Sequence, residues 1–375
     1  MWIAIGAVSL GIWLVLLLGR GRFWLFREVI ERDPIPEDRP MPAVAVIIPA
    51  RDEAETIGDA VRSLLASRYA GPLHVFVVDD HSSDGTSDIA RQAGGNHVTV
   101  IASRALPPGW TGKLWAVTQG VEASSATSPD FLLLTDADIV HAPDNVARLV
   151  ARAQRDRLDL ASVMVRLHCQ TLAERFTVPA FVFFFFKLYP PAWIANPRRS
   201  VAGAAGGCIL IRPEALARID GIAAIRNELI DDCALARRVK STGGRIWLGI
   251  SRDTESIRHY TTFSSVREMI ARTAFTQLKH SVLMLAGTLA GMALIYLAPP
   301  LLLFAPDHVA RALGLAAWLL MSAAYIPALR FYRQPPLLAP LLPLTAAFYT
   351  FATVESAVRY WRGSGGMWKG RVQAT

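Results

Sequence analysis

The chain has 375 residues, of which 52% are hydrophobic and only 19% charged, and it carries a formal charge of +8. A mean hydropathy of +0.31 excludes an ordinary soluble protein and calls for membrane segments beside a globular domain. The basic balance fits an anionic membrane surface better than nucleic acid, because the positive charge clusters near apolar segments and no Lys/Arg run is interleaved with aromatics. Cys169, Cys208 and Cys233 lie far apart and lack zinc spacing, so they read as core thiols of a reducing compartment.

Met1–Gly19 carries no charged side chain, and Arg20, Arg22 and Arg27 come directly after it. A secretory signal has the opposite order. Nineteen helical residues nearly cross a hydrocarbon core, and the arginines place the adjoining domain in the cytoplasm. Residues 20–42, with four prolines between Asp33 and Pro42, read as a linker.

Residues 43–49 (AVAVIIP) predict a buried strand, followed by Arg51-Asp52-Glu53 and a helix from about Ala54 to Ser67. Residues 73–78 (LHVFVV) predict a second strand, ending in Asp79 and Asp80, with a helix beginning near Ser87. Strands alternating with helices predict an α/β domain with a mostly parallel sheet and helices on both faces. No GxGxxG supports a dinucleotide. The acids at the strand ends suit base and ribose contacts or turn capping; for Asp84 the capping role is preferred. Pro107–Lys113 (PPGWTGK) precedes a helix over about 114–123, and a Gly-Lys pair at a helix start suits phosphate.

Residues 131–140 (FLLLTDADIV) are the stretch around which the rest is arranged. Four apolar residues run into Thr135, Asp136, Ala137 and Asp138, so two carboxylates are expected at the sheet's carboxyl edge, where open α/β sheets bind ligands. Ionised carboxylates there need a counter-charge, and Mg2+ or Mn2+ backed by a diphosphate would supply it. Asp144 is better placed than either to start the next helix, over about 143–155. Asp159–His168 predicts a further strand.

Together, VAVIIPARDE, VVDDHSSDGT, GWTGKLWA and LLLTDADI, in this order, resemble the family 2 glycosyltransferases of GT-A fold, over about residues 43–277. GWTGKLWA, the Asp231–Lys240 segment and the terminal WKGR resemble the hopanoid-biosynthesis-associated subgroup. The resemblance implies that Pro49, Arg51, Glu53 and Asp79 or Asp80 hold the nucleotide. It also implies that Lys113 lies near the nucleotide and that Asp136 and Asp138 hold the metal and diphosphate, Asp138 more directly. The acidic pair Asp231-Asp232 opens a predicted helix, where the dipole alone would favour it. The resemblance makes Asp232 the catalytic base, with Asp231 second. Gly206 and Gly207 precede CILI, which predicts an apolar strand; they permit close approach to the donor sugar and acceptor or form a tight bend.

Thr171–Ala195 is long and apolar but interrupted by Pro179, Lys187, Pro190 and Pro191. It reads as an amphipathic element on the membrane surface near a lipid acceptor, as a spanning helix, or as a buried core helix. Where processive relatives carry Q-x-x-R-W, this chain has Gln277-Leu278-Lys279-His280-Ser281, which points to a single transfer. Val282–Phe304, Ala312–Leu329 and Pro335–Val354 are apolar stretches long enough to span. The expected organisation is a transmembrane helix (1–19), a linker (20–42), a cytoplasmic GT-A domain (43–280), two or three transmembrane segments (281–358) and a basic tail (359–375). The whole implies a multi-pass inner-membrane enzyme that moves a sugar from a nucleotide-diphosphate sugar to a hopanoid or polyisoprenoid lipid. A polyprenyl-phosphate acceptor and a non-catalytic nucleotide-sugar-binding scaffold are the alternatives.

Overall fold

The computed structural model describes residues 1–35, 40–363, 367–368 and 371–372. Pro36–Arg39 of the expected linker, Lys369 and Gly370 of the terminal WKGR, and the last three residues of the tail lie outside the described residues. The chain forms two compact units, one of residues 28–168, 193–259 and 368–375, the other of residues 1–27, 169–192 and 260–367.

The first unit is built on an eight-stranded sheet of β1 (Val44–Ala50), β2 (Leu73–Asp79), β3 (Val98–Ala102), β4 (Phe131–Thr135), β5 (Ile139–Val140), β6 (Leu160–Arg166), β7 (Cys208–Ile211) and β8 (Ile246–Ser256), in the order β3-β2-β1-β4-β7-β6-β8-β5. β3, β2, β1 and β4 are mutually parallel, β7 runs antiparallel between β4 and β6, and β6 is parallel to β8. Every residue of β1 is buried, which its unbroken apolar run requires for a strand covered on both faces. Because Ala50 pairs with Asp79 and Ile47 with Leu134, the loops after β1, β2 and β4 emerge at one edge.

Helices Ile57–Leu65, Thr86–Gly94, Gly112–Ser124 and Asn145–Arg155 connect these strands, and Asp231–Ser241 precedes β8. Gly112–Ser124 packs so closely on the sheet that a Cβ at Gly120 would stand 2.5 Å from Ile47 Cγ2. Asp144 stands at the start of Asn145–Arg155, but its carboxylate is taken bidentately by Arg68 at 2.8 and 2.6 Å and does not cap the helix. Asp84 holds the turn before Thr86–Gly94, accepting from Thr86 N at 3.1 Å and from Ala54 N at 2.9 Å.

Part of the expected linker is built into the sheet unit. Val29 forms a parallel bridge with Ile250, and Glu28 accepts from Trp247 Nε1 at 2.9 Å. Asp33 pairs with Arg152 and Arg155, both at 3.1 Å. β5 covers only Glu255 and Ser256 of β8, and along the rest of that side the incoming segment takes up backbone groups: Ile250 N donates to Glu28 O at 2.7 Å.

The second unit is helical. Among the described residues five helices are long and apolar enough to cross a membrane: Trp2–Gly19, Leu172–Ile194, Val282–Phe304, His308–Phe331 and Pro336–Trp361. Trp13 is fully buried, donates from Nε1 to Ile295 O at 2.9 Å and meets Tyr296 edge-on at 5.7 Å. The helix Leu172–Leu188 opens with a reciprocal cap between Thr171 and Glu174. Its aromatic run is packed among other helices of this unit, Phe183 against Phe23 and Tyr325, and Phe184 against Tyr296 and Tyr349. Gln277, at the end of the helix Phe263–Gln277, donates to the Tyr189 hydroxyl at 2.7 Å.

Candidate active site

The parallel strands deliver Pro49 from β1 and Asp136 from the turn after β4 to one cleft, which Gly206, Asp231 and Asp232 complete. Lys113 enters it from the first turn of Gly112–Ser124, whose start Thr111 caps by accepting from Leu114 N at 3.3 Å. Its ammonium lies 2.9 Å from Asp136 Oδ1 and 3.2 Å from Asp231 Oδ2. Burial weighs against that charge, but Asp136 and then Asp231 outweigh it and hold the Lys113 pKa above its ordinary value. Burial, with Asp138 and Asp231 added, pushes Asp136 up despite the lysine.

Asp232 is pushed up to about 6, first by burial and then by Asp231. Two backbone donors oppose this: Gly206 N bonds Asp232 Oδ2 at 2.9 Å and Cys233 N bonds Oδ1 at 2.6 Å. A Cβ on Gly206 would stand 3.5 Å from Asp232 Oδ2 and 3.6 Å from Lys113 Nζ, so the backbone here approaches the charged cluster closely. Gly207 lies just behind, its carbonyl accepting from Thr135 Oγ1 at 2.7 Å.

Asp138 sits differently. It is buried, and its Oδ2 accepts from Ser256 Oγ at 3.0 Å and Arg258 Nε at 2.9 Å. The same guanidinium holds both oxygens of Glu53, at 2.7 and 2.9 Å. Arg51 donates to Asp80 O at 2.6 Å and stands 3.6 Å from the buried Asp80 carboxylate. Asp79 secures its own loop, accepting from Ser82 N at 3.2 Å and Ser87 Oγ at 2.7 Å.

The structure therefore brings Pro49, Lys113, Asp136, Gly206, Asp231 and Asp232 into one cleft. It joins Glu53 to Asp138 through Arg258, and ties Arg51 to Asp80. The strand-end acids could be found from their position after apolar runs. Arg258, Ser256 and His141 could not, since a lone arginine beyond a strand and a histidine at a helix entry carry no spacing signal.

The donor set suits a hard divalent cation. In the cleft three carboxylates surround one ammonium, leaving excess negative charge, and carboxylate oxygen is the ligand type that Mg2+ and Mn2+ take. Of the two aspartates of the Asp136-Ala137-Asp138 turn, Asp136 faces the cleft, while Asp138 is engaged by Arg258 and Ser256.

Residues 42–276 match the family described as Glycosyltransferase like family 2. The chain belongs to glycosyltransferase family 2. An N-acetylglucosaminyltransferase of Mesorhizobium japonicum is 35% identical over 126 residues, 32% of this chain and 28% of that protein. A 4,4'-diaponeurosporenoate glycosyltransferase of Staphylococcus haemolyticus is 31% identical over 132 residues, 34% of each. The chain thus spans about a third or less of the length of these curated relatives. A mannosyltransferase from Pyrobaculum calidifontis, solved with GDP-Man and Mn2+, superposes with a TM-score of 0.56 at 18% identity, covering 96% of this chain and 99% of that one. The sheet unit has the GT-A glycosyltransferase fold, a mixed sheet with helices, joined to several long apolar helices.

Proposed function

We propose that this glycosyltransferase moves a single sugar, with inversion, from a nucleoside diphosphate sugar to a lipid hydroxyl, and that Asp232 is the catalytic base. One observation carries the reading: a buried carboxyl with its pKa pushed up to about 6 shares a cleft with a lysine and the acidic turn after β4. A base titrating there is ionised at neutral pH yet basic enough to accept a proton. The acceptor hydroxyl gives its proton to Asp232 as its oxygen bonds to the anomeric carbon. The bond from that carbon to the diphosphate breaks on the opposite face, and the electron pair leaves with the diphosphate. Lys113 holds positive charge beside that leaving group. Asp136 would hold a divalent cation from the cleft, and Asp138 would join it by giving up its bond to Arg258; the cation would supply further charge neutralisation to the diphosphate. Pro49, Arg51, Glu53, Asp79 and Asp80 belong to the nucleotide side, and Gly206 and Gly207 to the sugar side.

The five long apolar helices favour an acceptor dissolved in the membrane, and one relative is named for a diaponeurosporenoate acceptor. The resemblance of GWTGKLWA, Asp231–Lys240 and WKGR favours a hopanoid or another polyisoprenoid as that acceptor. In this reading the helical unit sits in the inner membrane, with the catalytic unit in the cytoplasm.

The test is transfer from a panel of labelled nucleotide sugars into lipid extract, with Mg2+ or Mn2+ and then with chelator. Labelled lipid formed only with metal is expected. Asp232→Asn should lower turnover by about 10²–10⁴-fold, and wild-type turnover should fall below pH 6. A mild loss in Asp232→Asn would instead indicate a polyprenyl phosphate acceptor, already ionised and in no need of a base. Nucleotide-sugar binding with no turnover from any donor would indicate a binding scaffold.

A further inference from the structure

From Thr135, which lines the cleft, a line of buried polar side chains runs inward, and the proposed reaction assigns it no part. Thr135, His141 and Asn145 are 2, 3 and 2% exposed. Asn145 Nδ2 is 2.9 Å from His141 Nδ1, and an amide nitrogen can only donate. The ring therefore carries its proton on Nε2, which lies 3.0 Å from Thr135 Oγ1. With that lone pair occupied, the Thr135 hydroxyl directs its one hydrogen to Gly207 O at 2.7 Å.

The carbonyl so held belongs to the turn that touches Asp232. On the other side of Gly206 the buried Ser162 hydroxyl accepts from Ala205 N at 2.8 Å. The turn is thus gripped on both sides of the residue whose N–H bonds Asp232 Oδ2.

We propose that Thr135, oriented by His141 and Asn145, is a positioning residue for Asp232, fixing through Gly207 the backbone N–H of Gly206 that aims the carboxylate. This rests on Asp232 being the base. Burial holds the His141 pKa down, to about 4, so the ring stays neutral and the line keeps one direction of donation across neutral pH. Replacing Thr135 by valine keeps the volume, leaves Gly207 O and His141 Nε2 without their partner, and frees the turn to move.

The experiment compares wild type, Thr135→Val, Thr135→Ser and Asp232→Asn as full-length protein in membranes, reading kcat, donor KM and the pH profile of kcat. Thr135→Val should lower kcat about tenfold or more while donor KM changes less than about twofold. Its acid limb should move to higher pH, because a carboxylate that loses an N–H donor is harder to ionise. Thr135→Ser should restore both. If Thr135→Val fails to fold, Thr135→Ala reads the same missing hydroxyl. Wild-type kcat and acid limb in the valine variant, or a loss that serine does not restore, would overturn the positioning role while Asp232→Asn stays inactive. Full turnover in Asp232→Asn would instead remove the base assignment and this inference with it.

Discussion

Lys113 is the charge on which the cleft depends, since its ammonium lies between Asp136 and Asp231. Removing it leaves both carboxylates uncompensated and, in the proposed reaction, loses the contact to the diphosphate. A charge-assisted contact of this kind makes Lys113→Ala about ten- to hundredfold weaker in nucleotide binding, measurable by titration with the nucleoside diphosphate. His141 acts on stability. Its folded pKa of about 4 lies below the usual 6.5, so the unfolded chain binds the extra proton first as pH falls. Its contribution is present above pH 6.5 and is lost progressively from 6.5 down to about 4, amounting to roughly 3 kcal/mol at full extent. His141→Gln should flatten that part of the curve of unfolding temperature against pH. At this scale the sequence was informative where chemistry comes after an apolar strand, as at Asp136, and silent where a partner arrives from afar. Arg258 reaches Asp138 and Glu53 across 120 and 205 residues of chain, a pairing that only the folded sheet creates.

Among the elements, β1, β2, β4, β6 and β7 were legible because each is an apolar run ending in a polar turn. β3 and β8 were not. β3 is short and half exposed, and β8 carries Arg252, Asp253 and Glu255, so neither shows the run or the alternation that marks a strand. The antiparallel direction of β7 was equally hidden, because pairing direction depends on the connection and not on the strand's own residues. The helix Leu172–Leu188 has charged residues only near its ends and no polar face along its middle, so its period could not choose between the surface, spanning and buried readings; its aromatic run is packed within the helical unit. Gly120 sets how near Gly112–Ser124, and Lys113 with it, comes to β1. Gly120→Ala forces a methyl into Ile47 and should cost about 1–3 kcal/mol, read as a lowered unfolding temperature of the purified protein.

For the molecule as a whole, the apolar composition foretold long helices, but counting hydrophobic stretches leaves undecided which of them cross a bilayer. The sheet supplies a rule for one of them. β6 ends at Arg166, β7 begins at Cys208, and Leu160 and Ile211 are paired partners. Whatever lies between them leaves and rejoins the same sheet, so it makes an even number of bilayer crossings. Leu172–Ile194 is one helical stretch, and a single traverse would strand β6 and β7 on opposite faces of the membrane. A single traverse is thereby excluded, and a stretch that lies along one leaflet, enters and returns, or is packed within the protein satisfies the rule. Cysteines placed at the exposed positions 170 and 199 should react with an impermeant maleimide from one and the same side of sealed vesicles, and labelling from opposite sides would refute this. Among the described residues, the same parity leaves Trp2–Gly19 and the three stretches after residue 281 as the candidates for a single traverse, so any sidedness of the protein is set by those candidates.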